Sequence, residues 1–215
     1  MELQPLLFVT ESLGKFDFLR IVLQDAVDSG SIAGLEMHPL ENLVEIQADS
    51  VMAICKAKAI AAYERLRRPL VVQDSGFVIR ALKGFPGPYT KYVLSTVGVD
   101  GLLKLMEGEA DRRCGFVACV VYVDEDGFLH TFEEPEPYFG TLNTIRSSLP
   151  EGHDVGRAWG ENSGGLFDVF VPDDHLNPYR LTLAQMTVEQ LTEYRRTRNS
   201  AFRVFRDWLI SGGCQ

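Results

Sequence analysis

The sequence has no long apolar run, few cysteines and no excess of positive charge, and each deficit excludes a class of protein. No stretch of its 215 residues approaches the roughly 18 apolar residues that a membrane-spanning helix needs. Residues 1–10 also lack the basic segment that is typical of a secretion signal. We therefore expect a cytoplasmic protein that does not have a membrane partner.

The cysteines do not form a recognisable framework. The spacing of Cys55, Cys114, Cys119 and Cys214 matches neither a metal site nor a disulfide-rich scaffold. Cys55 falls in a predicted helix and Cys119 lies inside an apolar run, so we expect reduced thiols in the core.

Positive charge is also scarce. The chain has 21 Lys and Arg residues against 30 Asp and Glu residues, a formal net charge of −9. This balance argues against a nucleic-acid polymer as the partner. It does not exclude a small phosphorylated ligand, because a divalent cation and a few lysines can neutralise such a ligand locally.

The first predicted elements are a strand, a short turn and a helix. Residues 6–10 form an apolar run typical of a buried strand, and Ser12 is a suitable N-cap for the helix that follows. A strand that leads into a helix start directs backbone N–H groups and the helix dipole to one point, where an anion can bind. Lys15 lies beside that point, although a solvated helix lysine is an equally good interpretation.

The rest of the pattern predicts a mixed α/β domain that includes a β-meander. The predicted strands and helices are strands over 35–40, 69–72, 112–123, 128–133 and 139–142, and helices over 49–67, 89–94 and 99–106. An amphipathic helix near the C-terminus is predicted to bury Phe202, Phe205 and Leu209 and to expose Arg195, Arg198 and Arg206 on its other face.

The segment from residue 69 to residue 89 contains the strongest functional signal. The predicted strand over 69–72 ends at Gln73, which places Asp74 at its carboxyl end, where open α/β sheets bind ligands. The alternative is an aspartate that only caps the next turn. Residues 84–89 contain two glycines and two prolines, which predicts a rigid loop.

Two motifs here resemble a known family. The runs V-V-Q-D-S-G-F (71–77) and A-L-K-G-F-P-G-P-Y-T-K-Y (81–92) resemble the signature of inosine triphosphate pyrophosphatases, the HAM1-like pyrophosphatases of non-canonical purine nucleoside triphosphates. The resemblance implies an α/β fold with an elongated mixed β-sheet flanked by helices, and two lobes with a central cleft (HAM1/Maf-like). It implies a single domain over 1–215, with a phosphate-site lobe over about 1–110 and 170–215 and a meander lobe over about 111–170. It also implies a homodimer.

The resemblance implies roles for particular residues. It makes Asp74 and Lys15 catalytic, and it makes Glu45 and Asp74 ligands of Mg²⁺, with Glu41 as the alternative to Glu45. The implied substrate-binding residues are Thr10, Ser12, Lys56, Ser75, Lys91, Phe167, Asp168, Arg198, Asn199 and Arg203.

Several positions depart from the family pattern. Gln73 stands where most relatives have a second acid, which predicts weaker Mg²⁺ binding. The aromatic residue and the aspartate used on the purine are shifted to Phe167 and Asp168, and Arg203 stands in for a histidine. These departures predict an altered base preference.

The sequence thus predicts a Mg²⁺-dependent hydrolase that cleaves the α–β phosphate bond of a nucleoside triphosphate, releasing a monophosphate and pyrophosphate. The alternative is a catalytically weak nucleotide-binding or sensing protein that retains the phosphate site. A purely structural module is disfavoured, because Lys15, Glu45, Asp74 and Lys91 would have no role in it.

Overall fold

The computed structural model describes residues 5–43, 46–148, 165–173, 177–198 and 200–213. Within these residues the chain forms eight strands and six α-helices. The strands are β1 (Leu6–Val9), β2 (Leu35–His38), β3 (Leu70–Ile79), β4 (Pro86–Gly87), β5 (Arg113–Val123), β6 (Leu129–Glu133), β7 (Gly140–Leu142) and β8 (Phe170–Pro172). The helices are α1 (Leu13–Asp28), α2 (Val51–Leu66), α3 (Thr90–Thr96), α4 (Gly98–Leu105), α5 (Val188–Thr197) and α6 (Ala201–Ile210).

The sheet is mixed, as the sequence predicts. Its hydrogen-bonded order is β2-β1-β3-β5-β7-β8, with β4 paired to β3 and β6 paired to β5. β1 pairs in parallel with β2 and β3, whereas β3–β4, β5–β6, β5–β7 and β7–β8 are antiparallel. The predicted mixed α/β architecture is confirmed.

The chain divides into two compact units, each with its own apolar core. The first consists of the described parts of 1–74, 118–135 and 199–215, and the second of the described parts of 75–117 and 136–198. In the first unit α1 and α6 supply most of the core, together with residues of β1, β5 and β6. In the second unit Phe77, Phe170 and Leu142 pack with residues of α3, α4 and α5.

The first two helices follow from local sequence signals. Ser12 caps α1 and Ser50 caps α2, each accepting a hydrogen bond from the backbone N–H three residues later. α2 is rich in alanine, the best helix former. It ends at Leu66, and its C-cap Arg67 adopts a left-handed conformation with φ of 49°.

β3 is longer than the sequence predicts. The expected end at Gln73 is wrong, because the strand continues to Ile79 and Asp74 lies in its middle. Phe8 of β1 pairs with Val71, and β1 ends one residue later at Val9. Asp74 therefore lies beyond the carboxyl end of the neighbouring parallel strand, although its own strand goes on.

The arginine-rich C-terminal segment also differs from the prediction. It is two helices, because Arg198 leaves the helical conformation with ψ of 136° and Ser200 caps α6. Phe202, Phe205 and Leu209 are buried as predicted, but Arg195 is buried too, with 6% of its surface exposed. The predicted single exposed arginine face is wrong, since Arg195 and Arg206 belong to two separate helices, α5 and α6.

The cysteine prediction is confirmed for the three described residues. Cys55, Cys114 and Cys119 are free and buried. None of the described helices is long and apolar enough to cross a membrane.

Candidate active site

The turn between β1 and α1 is built by two short side chains. The Ser12 N–H donates to Thr10 Oγ1 over 3.1 Å, and Ser12 Oγ accepts from the Lys15 N–H over 3.3 Å. Thr10 thereby fixes the turn and Ser12 begins the helix, as the sequence predicts. The first turn of this 16-residue helix carries the positive end of the helix dipole. This turn has the geometry of an anion-binding site.

Lys15 connects this turn to β3. Its Nζ donates to the backbone carbonyl of Gln73 over 3.3 Å and lies 3.7 Å from Asp74 Oδ1. The sequence analysis selects both Lys15 and Asp74, and the structure places them side by side within the first unit. The lysine is therefore held at the helix start, next to the candidate catalytic carboxylate.

A second lysine reaches the same carboxylate oxygen. Lys58 Nζ of α2 also lies 3.7 Å from Asp74 Oδ1. Cys55, Ala59 and Ala62 form the buried face of α2, and Lys58 lies one helical turn from Cys55 and from Ala62.

The sequence interpretation missed Lys58 because it selected Lys56. Lys56 is exposed on another face of α2, and the geometry does not favour it over Lys58. A count of helical positions could have found Lys58, since Cys55, Lys58, Ala59 and Ala62 recur at spacings of three and four residues. The role of Lys56 stays a prediction.

The three side chains form a partly buried, positively charged cluster, the Lys15–Lys58–Asp74 cluster. Side-chain exposure is 17% for both Asp74 and Lys58 and 32% for Lys15. Two ammonium groups oppose one carboxylate, so the cluster as a whole attracts anions. Partial burial strengthens this attraction, because charges removed from water are screened less.

Two side-chain oxygens of neighbouring residues in β3 lack protein hydrogen-bond partners within the described residues. They are Asp74 Oδ2 and Gln73 Oε1, both buried from solvent. A buried oxygen without a partner is costly, by about 1–3 kcal/mol, unless water or a ligand satisfies it. Oxygen donors are the ligands that Mg²⁺ prefers, commonly one or two carboxylates together with substrate phosphates. Asp74 therefore fits the metal that the family resemblance implies.

The described residues do not provide a complete metal cage. They contain no group of three or more His, Cys, Asp or Glu side chains placed to hold a metal ion. Glu45, the other predicted ligand, lies outside the described residues, and Glu41, the alternative, is exposed.

The predicted base-recognition residues lie mostly in the second unit. Phe167 and Asp168 belong to a 3₁₀ turn, Leu166–Asp168, and Phe167 packs against the core of that unit. Asp168 Oδ2 accepts a hydrogen bond from Arg146 over 3.3 Å, and Arg146 also binds Asp100 over 2.9 Å.

The remaining predicted residues are spread over both units. The Arg198 guanidinium lies 4.1 Å from the centre of the Phe139 ring, a cation–π contact in the second unit. Lys91 is exposed on α3, and Ser75 is exposed on β3. Arg203 lies in α6 of the first unit, where its N–H donates to the cap residue Ser200. Asn199 lies outside the described residues.

The glycine- and proline-rich loop is held against β3 in the second unit. It contributes the two-residue strand β4, which pairs Phe77 with Gly87. The Thr90 hydroxyl donates to the Gly87 carbonyl over 2.6 Å and accepts from the Phe77 N–H over 2.7 Å. The predicted rigid loop is thus attached at its end by the first residue of α3.

A mixed α/β fold with a helix N-terminus, two lysines and a carboxylate at one point has the features of a phosphate-binding protein. A comparison with known protein families identifies the family of the chain. The chain belongs to the Ham1 family, whose model matches residues 6–208.

Curated relatives cover nearly the whole chain. A dITP/XTP pyrophosphatase of Thermococcus kodakarensis is 33% identical over 207 residues, which is 95% of this chain and 96% of the relative. A dITP/XTP pyrophosphatase of Methanopyrus kandleri is 31% identical over 203 residues, 94% of each chain.

Solved structures show the same fold. The Ham1 protein of Staphylococcus aureus superposes with a TM-score of 0.68 at 19% identity and covers 97% of this chain and 100% of its own. A HAM1 protein from Coxiella burnetii gives a TM-score of 0.67 at 16% identity, with 96% and 98% covered.

Proposed function

We propose that this protein is a Mg²⁺-dependent pyrophosphatase of non-canonical purine nucleoside triphosphates. It would cleave the α–β phosphate bond of a ribo- or deoxyribonucleotide and release a monophosphate and pyrophosphate. The observation that carries the proposal is the convergence of Lys15 and Lys58 on Asp74, beside the start of α1.

The enzyme class follows from the family. Relatives of more than 30% identity along nearly the whole chain are dITP/XTP pyrophosphatases. The chain is accordingly a nucleoside triphosphate diphosphatase, a hydrolase that acts on acid anhydrides, and the sequence prediction of an enzyme is confirmed. The preferred nucleotide is part of the proposal.

The first unit supplies the groups that the reaction needs. The Lys15 and Lys58 ammonium groups would bind phosphate oxygens and offset the charge of the triphosphate and of the leaving pyrophosphate. The N–H groups in the first turn of α1 would add hydrogen bonds to the same oxygens. Asp74 would orient the attacking water and accept its proton.

Asp74 and Glu45 are the proposed ligands of Mg²⁺. When bound, the metal would act as a Lewis acid that neutralises phosphate charge. Gln73 is neutral where an acid would add negative charge, and we therefore expect weaker binding of Mg²⁺. Tight, micromolar activation by Mg²⁺ would contradict this expectation.

An altered base preference is the second part of the proposal. Asp168 is engaged by Arg146, and Phe167 packs into the core of its unit, so neither matches the family's use of an aspartate and an aromatic platform on the purine. A panel of canonical, deaminated and modified nucleoside triphosphates, followed by pyrophosphate release, would test this. Strong selectivity for inosine and xanthosine triphosphates over all others would contradict it.

We also propose a cytoplasmic homodimer that acts on free nucleotides and does not bind a nucleic-acid polymer. The net charge of −9 supports the absence of a polymer partner. Sedimentation velocity would test the dimer, which should sediment with twice the 24.1 kDa mass of one chain.

A nucleotide-binding or sensing protein with little catalysis is the alternative, because the two lysines could hold a polyphosphate without hydrolysing it. Pyrophosphate release from any nucleotide with Mg²⁺, lost in Asp74→Asn, supports the enzyme. Binding of nucleotides without release from any member of the panel supports the alternative.

A further inference from the structure

One aromatic ring of the second unit has a guanidinium group on its face. The Arg198 guanidinium carbon lies 4.1 Å from the centre of the Phe139 ring. Phe139 lies just before β7, and Arg198 is the C-cap of α5, so the contact joins two segments that are distant in the chain. Both residues are only partly buried and keep some exposure to solvent. Aromatic rings and guanidinium planes are the groups on which proteins stack unpaired bases.

The position of the Phe139 ring is fixed by its neighbours. The ring packs edge-on against the buried Phe170 ring, with centres 5.4 Å apart and planes at 87°, and its centre lies 6.2 Å from that of Phe116. The Phe139 carbonyl accepts a hydrogen bond from the Asp173 N–H over 2.8 Å. A Cβ on Gly115 would lie 3.1 Å from Phe139 Cδ1, so the glycine lets the ring approach β5 closely. The guanidinium therefore rests on a ring that is held in place before any ligand binds.

We propose that Arg198 binds the purine base of the nucleotide by stacking, and that Phe139 is the positioning residue that holds the Arg198 guanidinium as the stacking plane. The inference rests on the proposed function, because it names residues that would bind the base of the proposed substrate. Stacking uses the π-face that every base has and does not depend on the hydrogen-bonding edge of the purine. This mode of binding is compatible with an altered base preference.

Equilibrium binding to the full-length protein tests the pair without turnover. One ligand is the α,β-methylene analogue of inosine triphosphate, whose α–β bridge cannot be hydrolysed. The other is pyrophosphate, which has no base. Each is titrated by calorimetry in the presence of Mg²⁺. Loss of the stacking plane should weaken binding of the analogue by about tenfold and leave pyrophosphate binding within about twofold of wild type.

The variants separate the guanidinium plane from its charge. Arg198→Lys keeps the positive charge and removes the plane, so it should weaken binding of the analogue by about tenfold. Phe139→Leu removes the ring that positions the guanidinium and should have the same effect. The double variant should lose little more than either single variant, because the two residues act as one surface. Tyr179→Leu removes a ring of the same unit that is 80% exposed, and this matched control should change neither affinity.

Three results would overturn the proposal. They are an unchanged affinity for the analogue in either single variant, losses that multiply in the double variant, and a loss of pyrophosphate binding equal to that of the analogue. Arg198→Lys decides the matter even if Phe139→Leu prevents folding, which a circular dichroism melt would show. Failure of the proposed function is separate, because it appears as absent pyrophosphate release from hydrolysable nucleotides by wild-type protein, whatever the affinity for the analogue.

Discussion

The two carboxylate oxygens of Asp74 have different surroundings. Oδ1 faces the two lysines, whereas Oδ2 is buried and has no hydrogen-bond partner within the described residues. One oxygen can therefore position the side chain while the other acts on a water molecule or a cation. A neutral amide of the same shape would keep the packing and lose both functions.

Asp74→Asn tests the role of the carboxylate. We expect pyrophosphate release to fall by about 10²–10⁴-fold, the range typical of a lost general base. Pyrophosphate binding should be retained or strengthened, because Lys15 and Lys58 lose their counterion. Release measured on the wild type and the variant provides the check, and a variant within a few-fold of wild type would exclude Asp74 as the base.

Lys58→Met tests the residue that the geometry adds to the site. The loss of a charge-assisted contact to phosphate, worth about 1.5–3 kcal/mol, should lower kcat/KM by about 10–100-fold. Lys104→Met, which changes an exposed lysine of α4 that has no predicted role in the site, is the control and should stay within about twofold. Steady-state kinetics on both variants give the comparison. Equal losses would show that the position of Lys58 near Asp74 has no functional meaning.

At the level of single elements, β3 tolerates no side chain at Gly76. A Cβ on Gly76 would lie 2.1 Å from the Gly87 carbonyl oxygen and 2.5 Å from its carbon, both backbone atoms of β4. The glycine therefore permits the close pairing of β3 and β4.

Gly76→Ala should destabilise the protein for this reason. Overpacking against backbone atoms typically costs about 1–3 kcal/mol, and the melting temperature should fall accordingly. Ser75→Ala, at the exposed neighbouring position, is a suitable control and should melt close to wild type. Thermal denaturation followed by circular dichroism would distinguish the two, and an unchanged Gly76→Ala melt would contradict the close pairing.

The β5–β6 hairpin contains a carboxylate–imidazole pair. His130 Nε2 lies 2.7 Å from Asp124 Oδ2, and the Phe128 and Asp126 amides donate to Asp124 Oδ1 over 2.9 and 3.1 Å. Burial acts to raise the pKa of Asp124, but the hydrogen bonds from His130 and the two amides outweigh it and leave the pKa below its usual value.

This lowered pKa predicts how stability depends on pH. A carboxyl group with a lowered pKa in the folded state stabilises the fold above its unfolded pKa of about 4 and loses this effect as the pH falls through the folded value. Asp124→Asn should lower the free energy of unfolding by about 1 kcal/mol at neutral pH and by much less below about pH 3. Urea denaturation at both pH values, with Asp126→Asn as the exposed control, would measure this. An equal deficit at both pH values would contradict it.

Local signals predict some elements and not others. The cap at Ser12 and the periodicity behind it predict α1, and an alanine-rich run without a helix breaker predicts α2. The end of β3 and the break at Arg198 depend on pairing and packing with residues distant in sequence. Lys58 was missed for a related reason, since the helix face that meets Asp74 is known only once α2 is packed.

For the molecule as a whole, net charge and local charge have opposite signs. The chain carries a formal charge of −9, while the Lys15–Lys58–Asp74 cluster has more positive than negative groups. Charges that act through solvent are screened over a Debye length of about 10 Å at 0.1 M salt, whereas the partly buried cluster would act on a ligand at contact. Salt should therefore weaken the distant repulsion more than the local attraction.

We expect kcat/KM for an anionic nucleotide to rise about two- to threefold as ionic strength increases from roughly 0.01 to 0.1 M, at fixed Mg²⁺ concentration. Steady-state rates at subsaturating nucleotide would measure this. A steady fall over the same range would mean that attraction by the cluster dominates the encounter.

The buried thiols have a practical consequence for labelling. A hydrogen bond with Cys119, together with burial, raises the pKa of Cys55, and burial raises that of Cys114, which suppresses the thiolate that reacts with maleimides. In a Cys214→Ser background, Lys56→Cys would therefore offer one reactive thiol on the exposed face of α2. A dye attached there would lie within a helical turn of Lys58 and could report polyphosphate binding in real time, without a chromogenic substrate.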